Sequence, residues 1–228
     1  MSPELLDAIR AHAAECAPRE CCGVVIIEKG RKRYVPCRNM ADDGQFELHP
    51  ADYAAAEDRG EIVKIVHSHV YEPAIPSMAD RVSCEAHGVP WVIVNYPTGA
   101  WLEFQPEGYE APLVGRPYVY GVLDCFTLAR DYYKREMGID LYVPVEWWAE
   151  GSAALFQHFS EAGFIEADGP VQPGDGLLMQ FGGDAWHCGV YLGGDQFLHH
   201  FRDRLSSRDV YGPIYRQHTR KVLRYKGK

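Results

Sequence analysis

HSHVYEPAIPSMAD, residues 67–80, decides the reading of the first half of this 228-residue chain. The β-rich run before it predicts a strand over residues 62–68 that delivers two histidines at its C-terminal end. Side chains alternate along a strand, so His67 and His69 project to the same side, as a chelating pair requires. Ser77 is a good N-cap for a helix to about His87, and Asp80 falls in that helix's first turn. The pattern is H-x-H, seven residues, then S-x-x-D. It brings two imidazoles and a carboxylate to one strand-to-helix connection. Neutral imidazole nitrogens and a carboxylate oxygen suit Zn²⁺, and three protein ligands leave a fourth position for water.

Around this segment, Pro3 opens a predicted helix over residues 3–16, with Leu5, Leu6, Ile9 and Ala13 on one stripe. Strands follow at 23–28 and 33–38, joined at Lys29-Gly30, then a short strand at 46–49 and a helix at 50–59. Strands at 89–95 and 101–105 complete the sheet. Residues 106–117, with three prolines and two glycines in the stretch from Gln105 to Pro117, read as a linker between domains at 1–105 and 118–228. In the second domain an amphipathic helix is expected over 124–137, ended by Gly138, and another over 146–162. Strands are expected at 177–181, 187–192 and 196–201, the last two joined at Gly193-Gly194.

Hydrophobic content of 46% with 24% charged residues is ordinary globular composition. A formal net charge of −9 argues against nucleic-acid binding, which needs a basic face over the phosphates. The basic cluster from Arg220-Lys221 to Lys228 reads as a solvated tail or docking strand. No stretch approaches the ~18 consecutive apolar residues of a membrane helix. The N-terminus lacks the basic-then-apolar pattern of a signal peptide, so synthesis and folding in the cytoplasm are expected. The seven cysteines (16, 21, 22, 37, 84, 125 and 188) form no Cys-x-x-Cys pair and read mostly as reduced, buried residues.

With Pro18-Arg19-Glu20-Cys21-Cys22-Gly23 upstream, the HSH…S-x-x-D segment resembles the JAMM, or MPN-plus, metallopeptidases over residues 1–105. The resemblance implies Zn²⁺ held by His67, His69 and Asp80 with water as the fourth ligand. It implies Glu20 as the residue that takes the water's proton and passes it to the leaving amine. Ser77 would donate a hydrogen bond to the tetrahedral intermediate. The family usually has Pro after the second His, where this chain has Val70.

Cys125 is the cysteine that stands apart. It follows Asp124 at a helix start, where free N–H groups and the helix dipole lower a thiol pKa. Its context is Tyr118-x-x-Gly121, Asp124-Cys125, Pro173-Gly174-Asp175 and Trp186-His187-Cys188-Gly189-Val190-Tyr191-Leu192-Gly193. This run resembles the NlpC-type papain-like cysteine peptidases over residues 115–205. The resemblance implies Cys125 as nucleophile, His187 as general base and then acid, and His199, twelve residues on, as the group orienting the imidazole. Folding at Gly193-Gly194 brings the 199–200 pair opposite His187; register decides which of the two faces in, only the resemblance favours His199, and His200 stays open as the alternative. Tyr118 is the candidate for gripping a substrate amino group. Phe126 stands where the family commonly has Ser or Ala. Cys188 should point away from the His187 face, and at least one ring of Trp147-Trp148 should be core.

The expected fold class is therefore α+β in two domains. The first is a JAMM-like α/β sandwich with a mixed sheet, and the second a papain-like NlpC fold with a small antiparallel sheet packed on helices. The fusion in this order and length resembles lambda-type phage tail-tip assembly proteins. That resemblance implies a tail protein that cuts peptidoglycan stem peptides and has other tail-tip proteins as partners. The rival expectation is an assembly module whose peptidase folds serve as interaction surfaces.

Overall fold

A computed structural model describes residues 1–41, 45–142, 151–183 and 186–227, with side chains of 151–154 not described. The chain divides into two compact units, Met1–Glu110 and Ala111–Lys228.

In the first unit, β1 (Cys22–Glu28) and β2 (Arg31–Cys37) form a hairpin whose turn residues Lys29 and Gly30 both have positive φ, as a two-residue turn matching strand twist requires. The sheet order is β2-β1-β3-β4-β5, with β3 at Glu61–Val70, β4 at Trp91–Tyr96 and β5 at Trp101–Phe104. Only β3 and β4 run parallel. A parallel pair needs a crossover, and α3 (Met78–His87) supplies it. The sheet is covered on both faces. On one, α1 (Pro3–Cys16) buries Leu5, Leu6 and Ile9 against Val25, Val66, Val92 and Val94. On the other, α2 (Pro50–Arg59) and α3 bury Ala56 and Cys84 against Cys22, Val24, Ile26, Ile65 and Trp91. Each such aliphatic side chain contributes about 1.5–3 kcal/mol, so packing rather than helix propensity holds these helices. A Cβ at Gly23 would stand 2.5 Å from the Val35 carbonyl oxygen, so β1 and β2 approach there only because the side chain is missing. The expected strand at 46–49 reduces to a single bridge, Asn39 to Leu48, flanked by backbone bonds from Met40 to Glu47 and from His49 to Arg38 and braced by the Asn39 side chain.

In the second unit, α4 (Cys125–Tyr132) continues into a π-helical turn, Tyr133–Met137, before Gly138 ends it in the left-handed region. The expected single helix therefore widens in its second half. The helix α5 is described over Gly151–Glu161; the start expected near residue 146 and the Trp147-Trp148 pair lie outside the described residues. The sheet is antiparallel throughout, in the order β10-β9-β8-β7-β11-β6. Its strands are β6 (Phe164–Glu166), β7 (Gly176–Gln180), β8 (Trp186–Gly193), β9 (Gln196–His199), β10 (Ser207–Val210) and β11 (Thr219–Tyr225), with α6 (Pro213–His218) before the last. The expectation of a solvated tail from Arg220 is corrected: Thr219–Tyr225 form β11, an interior strand between β7 and β6. Two of its charges are paired, Lys221 with Glu166 at 2.6 Å and Arg224 with Asp175 at 2.7 Å.

Among the described residues no helix is long and apolar enough to cross a membrane. The fold class is α+β, with a mixed sheet in the first unit and an antiparallel sheet in the second.

Candidate active sites

His67 and His69 leave the end of β3 on the α3 face, and Asp80 meets them from the first turn of α3. His67 Nε2 lies 3.2 Å from Asp80 Oδ1, His69 Nε2 3.6 Å from Asp80 Oδ2, and the two Nε2 atoms 3.2 Å from each other. These separations match the edge of a tetrahedron with bonds of about 2.0–2.1 Å, which is about 3.3 Å. His69 Nδ1 donates to the Pro73 carbonyl at 2.8 Å, which leaves the Nε2 lone pair facing the cluster. His67 is fully buried, with Phe46 stacked on it at 4.2 Å. The donor set and its spacing fit Zn²⁺.

Ser77 and Asp80 form a capping box. Ser77 N–H donates to Asp80 Oδ2 at 2.7 Å, and Asp80 N–H donates to Ser77 Oγ at 3.1 Å. The first bond fixes the carboxylate; the second leaves the Ser77 hydroxyl proton free to donate. Burial works to raise the Asp80 pKa, but hydrogen bonds from His67, His69 and Ser77 hold it well below the usual carboxylate range. Burial lowers the His67 pKa, so its nitrogen stays neutral and ligand-ready.

The register that pairs Cys22 with His67 carries Glu20 to the level of His69. Ser68 locks that edge, exchanging hydrogen bonds with the Cys21 backbone at 2.8 and 3.0 Å. Burial pushes the Glu20 carboxyl up to about 7; His69 opposes this, while Asp80 and Glu72 add to it. A carboxyl near neutrality can both take and give a proton. The side chains whose ligand atoms cluster within 4.8 Å of one another are His67, His69 and Asp80, and Glu20 is not among them.

In the second unit, Asp124 is the N-cap of α4, its carboxylate accepting from Thr127 N–H at 2.8 Å and from Gly121 N–H at 2.9 Å. Cys125 is the first helical residue and is 3% exposed. It packs with Ala129 and Tyr133 of its own helix against Leu178, Cys188 and Val190 of the sheet. The alternation expected at Cys188 holds, but the face it points to is the one that receives Cys125.

His187 shares the other face with Met179, its partner on β7. Its Nε2 lies 3.1 Å from His199 Nδ1, and its ring stacks on Phe201 at 4.0 Å. His199 Nε2 in turn lies 3.0 Å from Asp209 Oδ2 on β10. His199 is thus the residue that contacts His187. His200 sits on the Cys188 side, with Nε2 3.1 Å from the Arg204 carbonyl and its ring edge-on to Tyr118 at 4.9 Å. Gly189 faces His199 in the ladder, and a Cβ there would stand 3.2 Å from His199 Cβ. Among the described residues Cys125 and His187 share no hydrogen bond, and His187 Nδ1 has no partner. Burial, with His199 and His200 adding to it, holds the His187 pKa well below its ordinary value. Tyr118 lies beside the cysteine: burial and then Cys125 and Asp124 push its hydroxyl well up. Asp209 escaped the sequence reading; the alternating Ser207-Arg208-Asp209-Val210 stretch is the signal that could have placed it on a strand.

Two family models match the chain, prokaryotic homologs of the JAB domain over residues 2–105 and the NlpC/P60 family over residues 115–224. The tail tip assembly protein K of Escherichia phage N15 is 44% identical over 234 residues, covering 99% of this chain and 96% of that protein. The chain belongs to the tail tip assembly protein K family. The phage lambda protein of the same name is 33% identical over 184 residues, covering 78% of this chain and 89% of its own. Among solved structures, a JAB1/MPN domain protein from Archaeoglobus fulgidus is similar at 22% identity, covering 47% of this chain and 90% of that one with a TM-score of 0.32.

Proposed function

We propose that this chain is a phage tail-tip protein with two hydrolytic centres. It is made in the host cytoplasm, carried at the virion tail tip, and acts with other tail-tip proteins in assembly, cell-wall penetration or both. Its domains are taken as 1–105 and 118–228, with 106–117 as linker. The second domain is a cysteine endopeptidase acting on peptidoglycan stem peptides. The observation that carries this reading is the hydrogen bond between His187 and His199, in a unit that presents Cys125 at a helix N-terminus.

In this reading the Cys125 thiol gives its proton to His187 Nδ1, the nitrogen not committed to His199. The thiolate adds to the amide carbonyl carbon, the C–N bond breaks, and the imidazolium returns the proton to the departing amine. Water then attacks the thioester, His187 takes a proton from it, and Cys125 leaves as the thiol. Because the two side chains lie on different faces of β8, imidazole and thiol must meet around the N-terminal end of that strand. Backbone N–H groups at the start of α4 stabilise the oxyanion, and Tyr118 grips the substrate amine.

The depressed His187 pKa has a definite sign. The imidazole stays neutral below the ordinary value of about 6.5. Its contribution to stability is complete above that value and is lost as pH falls through the depressed one. The acid limb of kcat/KM is expected below pH 6.5. A midpoint at or above 6.5 in a pH–rate profile would show that His187 is not the neutral base.

The first domain is read as a JAB-type peptidase with Zn²⁺ on His67, His69 and Asp80. Bound there, the ion supplies a Lewis acid and an acidified water. Glu20 takes the attacking water's proton and hands it to the leaving amine, and the Ser77 hydroxyl donates to the oxyanion. One equivalent of zinc per chain is expected by atomic emission. Asp80→Asn should weaken zinc binding by more than the roughly 10–100-fold typical of an outer-shell change; unchanged affinity would remove Asp80 from the donor set.

A structural role has its own support, since the relatives are named for tail tip assembly. Complementation of a phage lacking this protein separates the readings. Cys125→Ala particles that assemble tails but fail at the cell wall support the enzyme. Failure to form tails supports the assembly module.

A further inference from the structure

We propose that Asp209 is a positioning residue that sets the proton arrangement of both histidines in the Cys125 centre. This rests on the cysteine-peptidase reading and extends it to a residue outside the Cys–His–His set.

An ionised carboxylate can only accept hydrogen bonds. Asp209 Oδ2, 3.0 Å from His199 Nε2, therefore requires the proton of neutral His199 on Nε2. That leaves a lone pair on His199 Nδ1, which faces His187 Nε2 at 3.1 Å. For this contact to be a hydrogen bond, His187 must carry its proton on Nε2. The lone pair of His187 is then on Nδ1, the nitrogen needed to take a thiol proton. One carboxylate thus dictates two tautomers in series. Without it, the reverse arrangement satisfies the same pair: His199 Nδ1–H donates to His187 Nε2, and His187 Nδ1 is protonated and useless as a base.

The surroundings hold Asp209 in the ionised, aimed state. In the β9–β10 ladder His199 faces Ser207 and Phe197 faces Asp209, so Asp209 reaches His199 along the diagonal of one sheet face. The Arg204 guanidinium lies 3.5 Å from Oδ2, and the Tyr215 hydroxyl donates to the same oxygen at 3.5 Å. Burial works to raise the Asp209 pKa, but His199, Ser207 and Arg204 outweigh it and keep the group ionised. His199, by contrast, has its pKa lowered, chiefly by burial, so the neutral form that carries the relay persists.

The test is side-chain nitrogen NMR of the full-length, ¹⁵N-histidine-labelled protein at pH 7.5, comparing wild type with Asp209→Leu, which keeps the bulk and removes the acceptor, and with Asp209→Glu. Wild type is expected to show His199 and His187 both protonated on Nε2. Asp209→Leu should shift both toward the Nδ1–H form, and Asp209→Glu should restore the wild-type pattern. Where stem-peptide cleavage is measurable, kcat should fall on the order of 10–100-fold in Asp209→Leu with KM little changed. Retention of both Nε2–H tautomers in a folded Asp209→Leu, or in Asp209→Ala should the first variant misfold, overturns the proposal. The tautomer readout does not depend on turnover: a wild-type chain that cleaves nothing but shows the tautomer shift loses the peptidase reading and keeps the Asp209 role.

Discussion

Replacing Cys125 by alanine is expected to remove stem-peptide cleavage altogether. In hydrolases that act through a nucleophile–base unit, losing the nucleophile costs on the order of 10⁶ in kcat, because every later step depends on the covalent intermediate. Alanine leaves the site's architecture in place. The helix cap is made by Asp124 and Thr127 rather than by the thiol, and Cys125 contributes a small side chain to the core beside Ala129 and Cys188, with a weak thiol contact to Cys188. The loss of one buried sulfur should cost about 1 kcal/mol of stability. A folded Cys125→Ala chain that still cut stem peptides at the wild-type rate would move the chemistry to the first domain or to another residue.

The largest stability effect is expected at Asp131. The Arg116 side chain is fully buried, and its Nη1 lies 2.8 Å from Asp131 Oδ2. The contact is an ion pair that favours the charged guanidinium against the cost of its burial. The rest of the guanidinium is satisfied by the carbonyls of Ala111 and Pro112. Asp131 also faces Arg130 at 2.9 Å and Arg135 at 3.9 Å. Asp131→Ala would leave three guanidinium groups together, one of them without access to water. Breaking a buried pair from one side costs about 3–5 kcal/mol. For a unit of this size the melting temperature should fall by on the order of 10–20 °C. Calorimetry of the full chain measures this; a shift of only a degree or two would show that water reaches Arg116 after all.

The two centres differ in how much of them the sequence discloses. His67, His69, Ser77 and Asp80 lie within fourteen residues, and strand alternation plus one N-cap rule already place them together. Glu20 needs the β1–β3 register, which no local pattern contains. In the second domain the local signals serve where they exist: Asp124 caps α4, and the β8–β9 hairpin turns at Gly194-Asp195, one residue beyond the expected Gly193-Gly194. What local patterns miss is set by ladder partners far along the chain. Asp209 acquires its role only because β10 pairs with β9. Residues 219–225 look like a charged tail, since Arg220, Lys221 and Arg224 interrupt the apolar pattern. They form an interior strand, where Glu166 meets Lys221, Asp175 meets Arg224 and Arg220 bonds to Gln180. The faces of β8 show the same limit: alternation correctly separates His187 from Cys188, but only packing reveals that α4 lies on the Cys188 side.

The most direct test of the account is digestion of purified peptidoglycan sacculi by the full-length protein, with released muropeptides read by mass spectrometry. Cys125→Ala and the His67→Ala, His69→Ala double variant are run alongside. The account expects new stem-peptide fragments from wild type and from the double histidine variant, and none from Cys125→Ala. Intact stem peptides after incubation with folded wild-type protein, or fragments that persist in Cys125→Ala, would contradict it.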